Sequence, residues 1–288
     1  MRWEGREQSS NVEDRRGMAM AAGGLAAGGG FGTIILMIII VFLGGNPQQL
    51  LEQVGQQQER MAVPTKVTPE NDADAKLLEF VSVVMKDTED VWGNLFREQL
   101  GAKYQEPKLV IFRGEVRSAC GQATAAVGPF YCPGDSNVYL DFDFFRELKS
   151  RFQAPGDFAM AYVIAHEIGH HVQNQLGLSS KIQAMQNKAG KDETNQLSVR
   201  LELQADYLAG VWAKHAQESK QIIEAGDIGE AMNAAKQIGD DKITKGRVPE
   251  NMFTHGSSQQ RVRWYKAGLA SGDLQGMMKI FELEFDAL

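Results

Sequence analysis

The chain has 288 residues, 43% of them hydrophobic, a formal net charge of −7 and two cysteines. That is enough apolar material for one or two globular domains. No basic block follows residue 16, which excludes the electrostatic footprint of a nucleic-acid-binding protein. The paired and tripled glycines at 23–24 and 28–30 precede an apolar run instead of joining a strand to a helix, which excludes a phosphate loop.

Residues 1–17 carry Arg2, Arg6, Arg15 and Arg16 and read as a short tail. Residues 18–45 hold no charged side chain, and Thr33 is their one polar residue. A bilayer crossing needs about 20 apolar residues, so this stretch predicts a transmembrane signal anchor. The alternatives are a cleaved signal peptide, for which Phe42-Leu-Gly-Gly-Asn-Pro47 is a poor exit, and a buried soluble helix. The arginines precede the stretch and the next basic residue after it is Arg60. This bias predicts a cytoplasmic N-terminus, a single pass through the membrane, and an extracytoplasmic remainder. Residues 46–70, with six glutamines between 48 and 58 and prolines at 47, 64 and 69, read as a linker. The globular domain is then 71–288.

Thr68 and Pro69 suit the first turn of a helix. Leu77, Val81, Val84, Val91, Trp92 and Leu95 follow at helical spacing, a stripe for core packing. Short strands come next, at 108–112, at 123–127 and 130–132 around Gly128-Pro129, and at 137–140 after the turn signal Pro133-Gly-Asp-Ser136. Residues 141–152 read as a helix, and almost everything beyond 195 is helical. Strands first and helices later predict an α+β fold, a small antiparallel sheet with a mostly helical remainder. Cys120 and Cys132 lie in the part expected outside the cytoplasm, where disulfides persist. A bridge between them is expected, with two buried thiols as the alternative; a metal role is disfavoured because no histidine is near in sequence.

Residues 157–176 form an unbroken helical pattern with Asp157 expected as N-cap and Gly177 as stop. The run from Phe158 to Ala165 is apolar on every face, the mark of a helix buried all round. His166-Glu-Ile-Gly-His170 follows. Residues at i and i+4 share a helical face, so His166 and His170 can offer two imidazole nitrogens to one metal ion. Glu167 is turned by about 100°, placed to act as a base and not as a ligand. Buried imidazoles and a carboxylate are costly without partners, which coordination supplies; the bland alternative is a chance motif on a core helix. Gln173 and Leu176 stand where a metzincin needs Gly and His, which excludes that class. Farther on, Glu202 and Asp206 are again i and i+4, suited to a third ligand and to an acceptor for a ligand imidazole. An ordinary solvated helix face is the alternative.

The segments Ala119-Cys-Gly121, Gly128-Pro-Phe-Tyr-Cys-Pro133, Val138-Tyr-Leu-Asp-Phe-Asp-Phe-Phe145, His166 to Asn174, Glu202-Leu-Gln-Ala-Asp206 and Phe253-Thr-His-Gly-Ser-Ser-Gln-Gln-Arg261 occur in that order. Together they resemble the bacterial neutral zinc metallopeptidase family, from about residue 72 to the end and in the arginine-rich, apolar start. The resemblance implies a zincin-like, gluzincin-type peptidase at the cell envelope, with Zn2+ held by His166, His170 and Glu202, Glu167 as general base, and Asp206 behind a ligand. It also implies that an edge strand near residues 127–131 seats the backbone of a peptide or protein substrate. His255 is a candidate to stabilise the oxyanion, with a structural role as the alternative, and Arg261 is expected to be structural, with pairing to a carboxylate near the site as the alternative. His171 is expected to be a packing or surface residue and His215 to be solvated. The activity expected is hydrolysis of peptide bonds by a membrane-anchored enzyme. The rivals are a zinc-binding envelope interaction or chaperone-like module without turnover, and a zinc hydrolase of a non-peptide substrate.

Overall fold

The computed structural model describes residues 1–16, 72–124 and 128–288. The expected span at 18–45, the linker at 46–70 and the helix start at Thr68-Pro69 lie outside the described residues. Among the described residues no helix is long and apolar enough to cross a membrane.

Strand β1, Val12–Asp14, precedes helix α1, Asp72–Leu95, which runs on into a π-helical turn, Phe96–Leu100. Of the expected stripe on α1, Val81, Val84, Val91, Trp92 and Leu95 are buried and Leu77 packs at the margin. Strands β2 (Lys108–Phe112), β3 (Glu115–Ser118), β4 (Gly121–Thr124), β5 (Phe130–Cys132) and β6 (Asn137–Asp141) follow. Then come helices α2 (Phe142–Ser150), α3 (Asp157–Gln175), α4 (Leu178–Gln186), α5 (Lys191–Lys220), α6 (Asp227–Gln237), α7 (Asp240–Ile243), α8 (Ser258–Ser271) and α9 (Lys279–Glu282). The class is α+β and mostly helical.

The main sheet is mixed, in the order β1-β2-β6-β5, which corrects the expectation of an antiparallel one. β1 runs parallel to β2 and β2 parallel to β6; β5 alone is antiparallel, to β6. The reason is the intervening hairpin, β3 against β4, which forms a separate two-stranded sheet and lets the chain return in the same direction. Leu109, Ile111, Val138 and Leu140 point into the large helical core, while Val110, Phe112 and Tyr139 point the other way, into a small cluster with Val116, Ala123 and Cys132. Strands buried on both faces read as continuous apolar runs, as these do. The Cys120–Cys132 disulfide, with Cα atoms 5.8 Å apart, ties the hairpin to edge strand β5.

Helix α3 sits at the centre. It packs on α1, α5 and α6 and touches β5 and β6, as its all-round apolar surface requires. Its start differs from expectation. Gly156 is the N-cap, and the Phe158 amide donates to Glu230 of α6 at 3.1 Å. Gly156 has φ 124°, a backbone conformation that L side chains rarely adopt, and a Cβ there would also displace the Glu230 carboxylate, so the cap favours glycine. Asp157 instead accepts from the Trp3 indole N–H at 2.8 Å. Gly177 ends the helix with φ 73°, in the left-handed region that glycine adopts freely.

The segment read as a separate tail is, across residues 1–16, folded onto the domain. β1 adds an outer strand beside β2, Arg6 makes two bonds to buried Asp87 at 2.6 and 2.8 Å, and the Trp3 ring meets Phe80 edge to face.

Candidate metal centre and active site

His166 and His170 lie one turn apart on α3, and Glu202 approaches from α5. Helix α5 comes this close because of Gly169, the fourth residue of the motif. A Cβ there would stand 3.0 Å from the Ala205 carbonyl oxygen, so the two backbones are nearly in contact. Glu202 Oε2 lies 3.2 Å from His166 Nε2, and Oε1 lies 3.4 Å from His170 Nε2. One donor atom from each residue falls within 4.8 Å of the others, the compact grouping a single ion needs.

The far side of each imidazole decides whether the set suits a metal. His166 Nδ1 is 2.9 Å from Asp206 Oδ1, and His170 Nδ1 is 2.9 Å from Gln173 Oε1. Both partners accept. The Gln173 orientation follows from its Nε2, which donates to the Leu201 carbonyl at 2.7 Å and to Gln204 at 3.0 Å. Both Nδ1 atoms therefore carry a proton, and both Nε2 atoms turn toward Glu202, the side on which a metal would bind. Two imidazoles and a carboxylate disposed this way fit zinc.

Asp206 is fully buried and satisfied. Besides His166 it accepts from Arg261 Nε at 2.8 Å and Nη2 at 3.0 Å, and from the Tyr162 hydroxyl. Arg261 takes the alternative to the structural role favoured for it: it is the counter-charge of the carboxylate behind His166, and its own Nη2 stands 3.3 Å from His166 Nδ1. Burial pulls the His166 imidazole down, but the Asp206 charge and hydrogen bond and the Glu202 contact outweigh it and raise it to about 9. Burial would push Glu202 up, yet His170 and His166 hold it well below the usual carboxylate range. Glu167 is buried beside the ligands, and burial raises its carboxyl.

His255 lies on the loop before α8. Asp240, at the start of α7, accepts the backbone N–H groups of Thr254, His255 and Gly256 at 2.8, 2.7 and 3.1 Å, and its other oxygen is 3.2 Å from His255 Nδ1. Gly256, at φ 90°, packs against Val199 and Leu203, the neighbours of Glu202 on α5. His255 is near enough that its charge lowers Glu202. Burial lowers His255 itself, but the Asp240 hydrogen bond and the Glu202 charge raise it. Ser257 caps α8 in a capping box with Gln260.

The remaining histidines divide. His171 packs, as expected, and also bonds Tyr131 of β5 at 3.1 Å and the Gln105 carbonyl at 2.7 Å, joining the edge strand to α3. His215 is not simply solvated; its Nε2 meets the Gly272 carbonyl at 2.8 Å. Gln173, Tyr162 and Asp240 were not singled out from the sequence. Gln173 follows His170 by three residues and Tyr162 precedes His166 by four, the helical spacings that bring side chains together. Asp240 had no such local signal.

Comparison with known proteins follows the same lines. A protein of Escherichia coli (strain K12) named "Uncharacterized protein YpfJ" is 46% identical over 281 residues, spanning 95% of this chain and 96% of the relative. "Uncharacterized protein Mb2605" of Mycobacterium bovis is 44% identical over 184 residues, 59% of this chain and 61% of that protein. No solved structure matches the chain. The family described as "Putative neutral zinc metallopeptidase" matches residues 1–277, and the chain belongs to it.

Proposed function

We propose that the protein is a zinc-dependent peptidase that hydrolyses peptide bonds. One observation carries this reading: His166 and His170 both turn Nε2 toward Glu202 while Asp206 and Gln173 accept from their Nδ1 atoms, so Nε2 is the atom of each ring from which a metal would displace a proton. His166, His170 and Glu202 would hold the ion. Bound zinc acts as a Lewis acid that brings the pKa of a water to near 7 and polarises a carbonyl.

The chain's own groups do the rest. Glu167 takes the proton from the attacking water on its carboxylate and delivers it to the departing amine nitrogen. Its raised carboxyl suits both halves of that transfer. His255, whose imidazole burial lowers but the Asp240 hydrogen bond and the Glu202 charge raise overall, donates toward the oxyanion as the carbonyl becomes tetrahedral. Arg261 and Tyr162 hold Asp206, which keeps the His166 ring from turning. Among the described residues β5 pairs with β6 on one side only and lies against α3, and its outer edge would take an extended substrate. The disulfide supports an extracytoplasmic site of action at the membrane, with envelope peptides or proteins as substrates.

The deciding experiment is zymography and peptide cleavage with the zinc-loaded protein and its Glu167→Gln form. Cleavage that disappears in the variant while zinc stays bound supports the proposal. Equal complementation of a deletion strain by Glu167→Gln would instead make the ion a staple of a binding module.

A further inference from the structure

We infer that residues 1–16 and the metal-binding domain lie on the same side of the membrane, so the chain is not a single-pass protein with its N-terminus in the cytoplasm and its active site outside. The inference rests on the contacts of the first sixteen residues and not on the proposed activity.

Those contacts are too many and too internal for a segment across a bilayer. Val12, Glu13 and Asp14 pair in register with Leu109, Val110 and Ile111, and the Arg15 amide continues the ladder to the Ile111 carbonyl at 2.8 Å. The Ser9 amide donates to the Ser82 carbonyl of α1 at 2.9 Å. Trp3 reaches the first turn of α3, the helix that carries His166 and His170. Asp87, 1% exposed, is neutralised by Arg6 and Lys220 together. Removing Arg6 to the other face of a membrane would strip half the counter-charge from a buried carboxylate, a costly change.

The two ends of the 17–71 connection also meet. Arg16 stands 3.5 Å from Asp74 near the start of α1 and lies over the Phe142 ring at 4.4 Å. A connection that leaves and re-enters one domain at one corner crosses a membrane an even number of times or not at all. Residues 18–45 supply 28 uncharged residues, short of the roughly 40 that two crossings need.

The basic excess that predicts a cytoplasmic N-terminus has another explanation here. Arg2 pairs with Glu224, Arg6 with Asp87, Arg15 with Glu13, and Arg16 with Asp14 and Asp74. These arginines are surface and core ion pairs of a folded domain. Their count before an apolar stretch carries no orientation once they are spent in this way. The family match, which begins at residue 1, agrees with an arm that belongs to the domain.

Both cysteines are engaged in the bridge, so one added cysteine is the sole free thiol of the full chain. Ser10 and Ser180 are both exposed, one on the arm and one on α4. Ser10→Cys and Ser180→Cys forms are treated with a membrane-impermeant maleimide in intact spheroplasts and again after permeabilisation. The expected result is the same pattern for both. Labelling of both before permeabilisation also agrees with an extracytoplasmic enzyme. Labelling of both only afterwards would move the enzyme to the cytoplasm and leave this inference standing. Labelling of Ser180→Cys in intact spheroplasts with Ser10→Cys protected, or the reverse, overturns it. A second measurement is the melting temperature in native membranes. Arg6→Glu should lower it by roughly 5 °C or more, and Asp87→Arg added to it should recover part of the loss; no change in Arg6→Glu would count against the packed arm.

Discussion

Gln173 Oε1 accepts the Nδ1 proton of His170 at 2.9 Å, the same service that Asp206 gives His166. The two ligand imidazoles are thus held by unlike partners, one neutral and one charged. Groups that fix a ligand ring typically contribute 10–100-fold to metal affinity or activity. Gln173→Leu removes the acceptor and should weaken zinc binding by about that factor with the fold intact. Competition against a chelator of known affinity measures it. Unchanged zinc affinity would mean that the bond is incidental.

Arg261 and Asp206 form a buried pair at 2.8 Å, with 3% and no side-chain exposure. Stripping one partner from such a pair typically costs about 3–5 kcal/mol. Arg261→Ala should therefore destabilise the metal-free protein by about that much in a urea titration. Asp206→Asn keeps the shape and loses the charge, so it should lose zinc affinity before stability. If Arg261→Ala melts like the parent, the pair is not holding the site together.

The His166 imidazole carries its own pH signature. Its folded-state value, raised from 6.5 to about 9, means that the metal-free fold gains from the proton fully below about pH 6.5 and loses that gain as pH rises through 9. A ligand must be deprotonated to bind. Zinc binding at pH 7 should thus expel about one proton, and affinity should climb roughly tenfold per pH unit until about 9. Calorimetry in buffers of different ionisation enthalpy reads this directly. Zinc binding with no proton release at pH 7 would contradict the charge relay from Asp206.

His255→Ala separates its two possible roles. As an oxyanion donor it should lower kcat by about 10²-fold with zinc content and melting temperature unchanged. Asp240→Ala should cost both, because Asp240 also collects three backbone N–H groups of the 254–256 loop. A fall in stability for His255→Ala without a kinetic defect would assign it to the loop alone.

Replacing both Cys120 and Cys132 with Ala should cost on the order of 3 kcal/mol, the typical value for a loop of this length. If β5 seats the substrate, KM should rise while kcat holds, since the bridge anchors the strand and not the metal. A changed kcat at constant KM would detach β5 from substrate binding.

How much of this was legible beforehand follows from the range of each interaction. The spacing of His166 and His170 is a property of one helix, and that of Glu202 and Asp206 a property of another, so both pairs can be read locally. That Glu202 meets the histidines depends on α3 and α5 packing at Gly169, which no local pattern states. The antiparallel β5–β6 hairpin announced itself through Pro133-Gly134. The parallel β2–β6 pairing did not, because a hairpin intervenes. Least legible was β1: three residues, with no alternation, whose partner is almost a hundred positions away. There the arginines carried the louder signal, a charge bias ahead of an apolar stretch, whereas in the fold they pair with acidic groups of the domain.

The glycine inside the metal-binding motif has a consequence for what the protein can become. Because the Gly169 and Ala205 backbones already touch, the gap between the ligand-bearing helices is set by main chain and not by any side chain that could be exchanged for a larger or smaller one. Even Gly169→Ala would wedge the helices apart by a few tenths of an ångström and carry Glu202 away from both histidines. A change in metal preference would have to come from swapping ligand chemistry or from opening this gap, since glycine already leaves it as narrow as a side chain can make it.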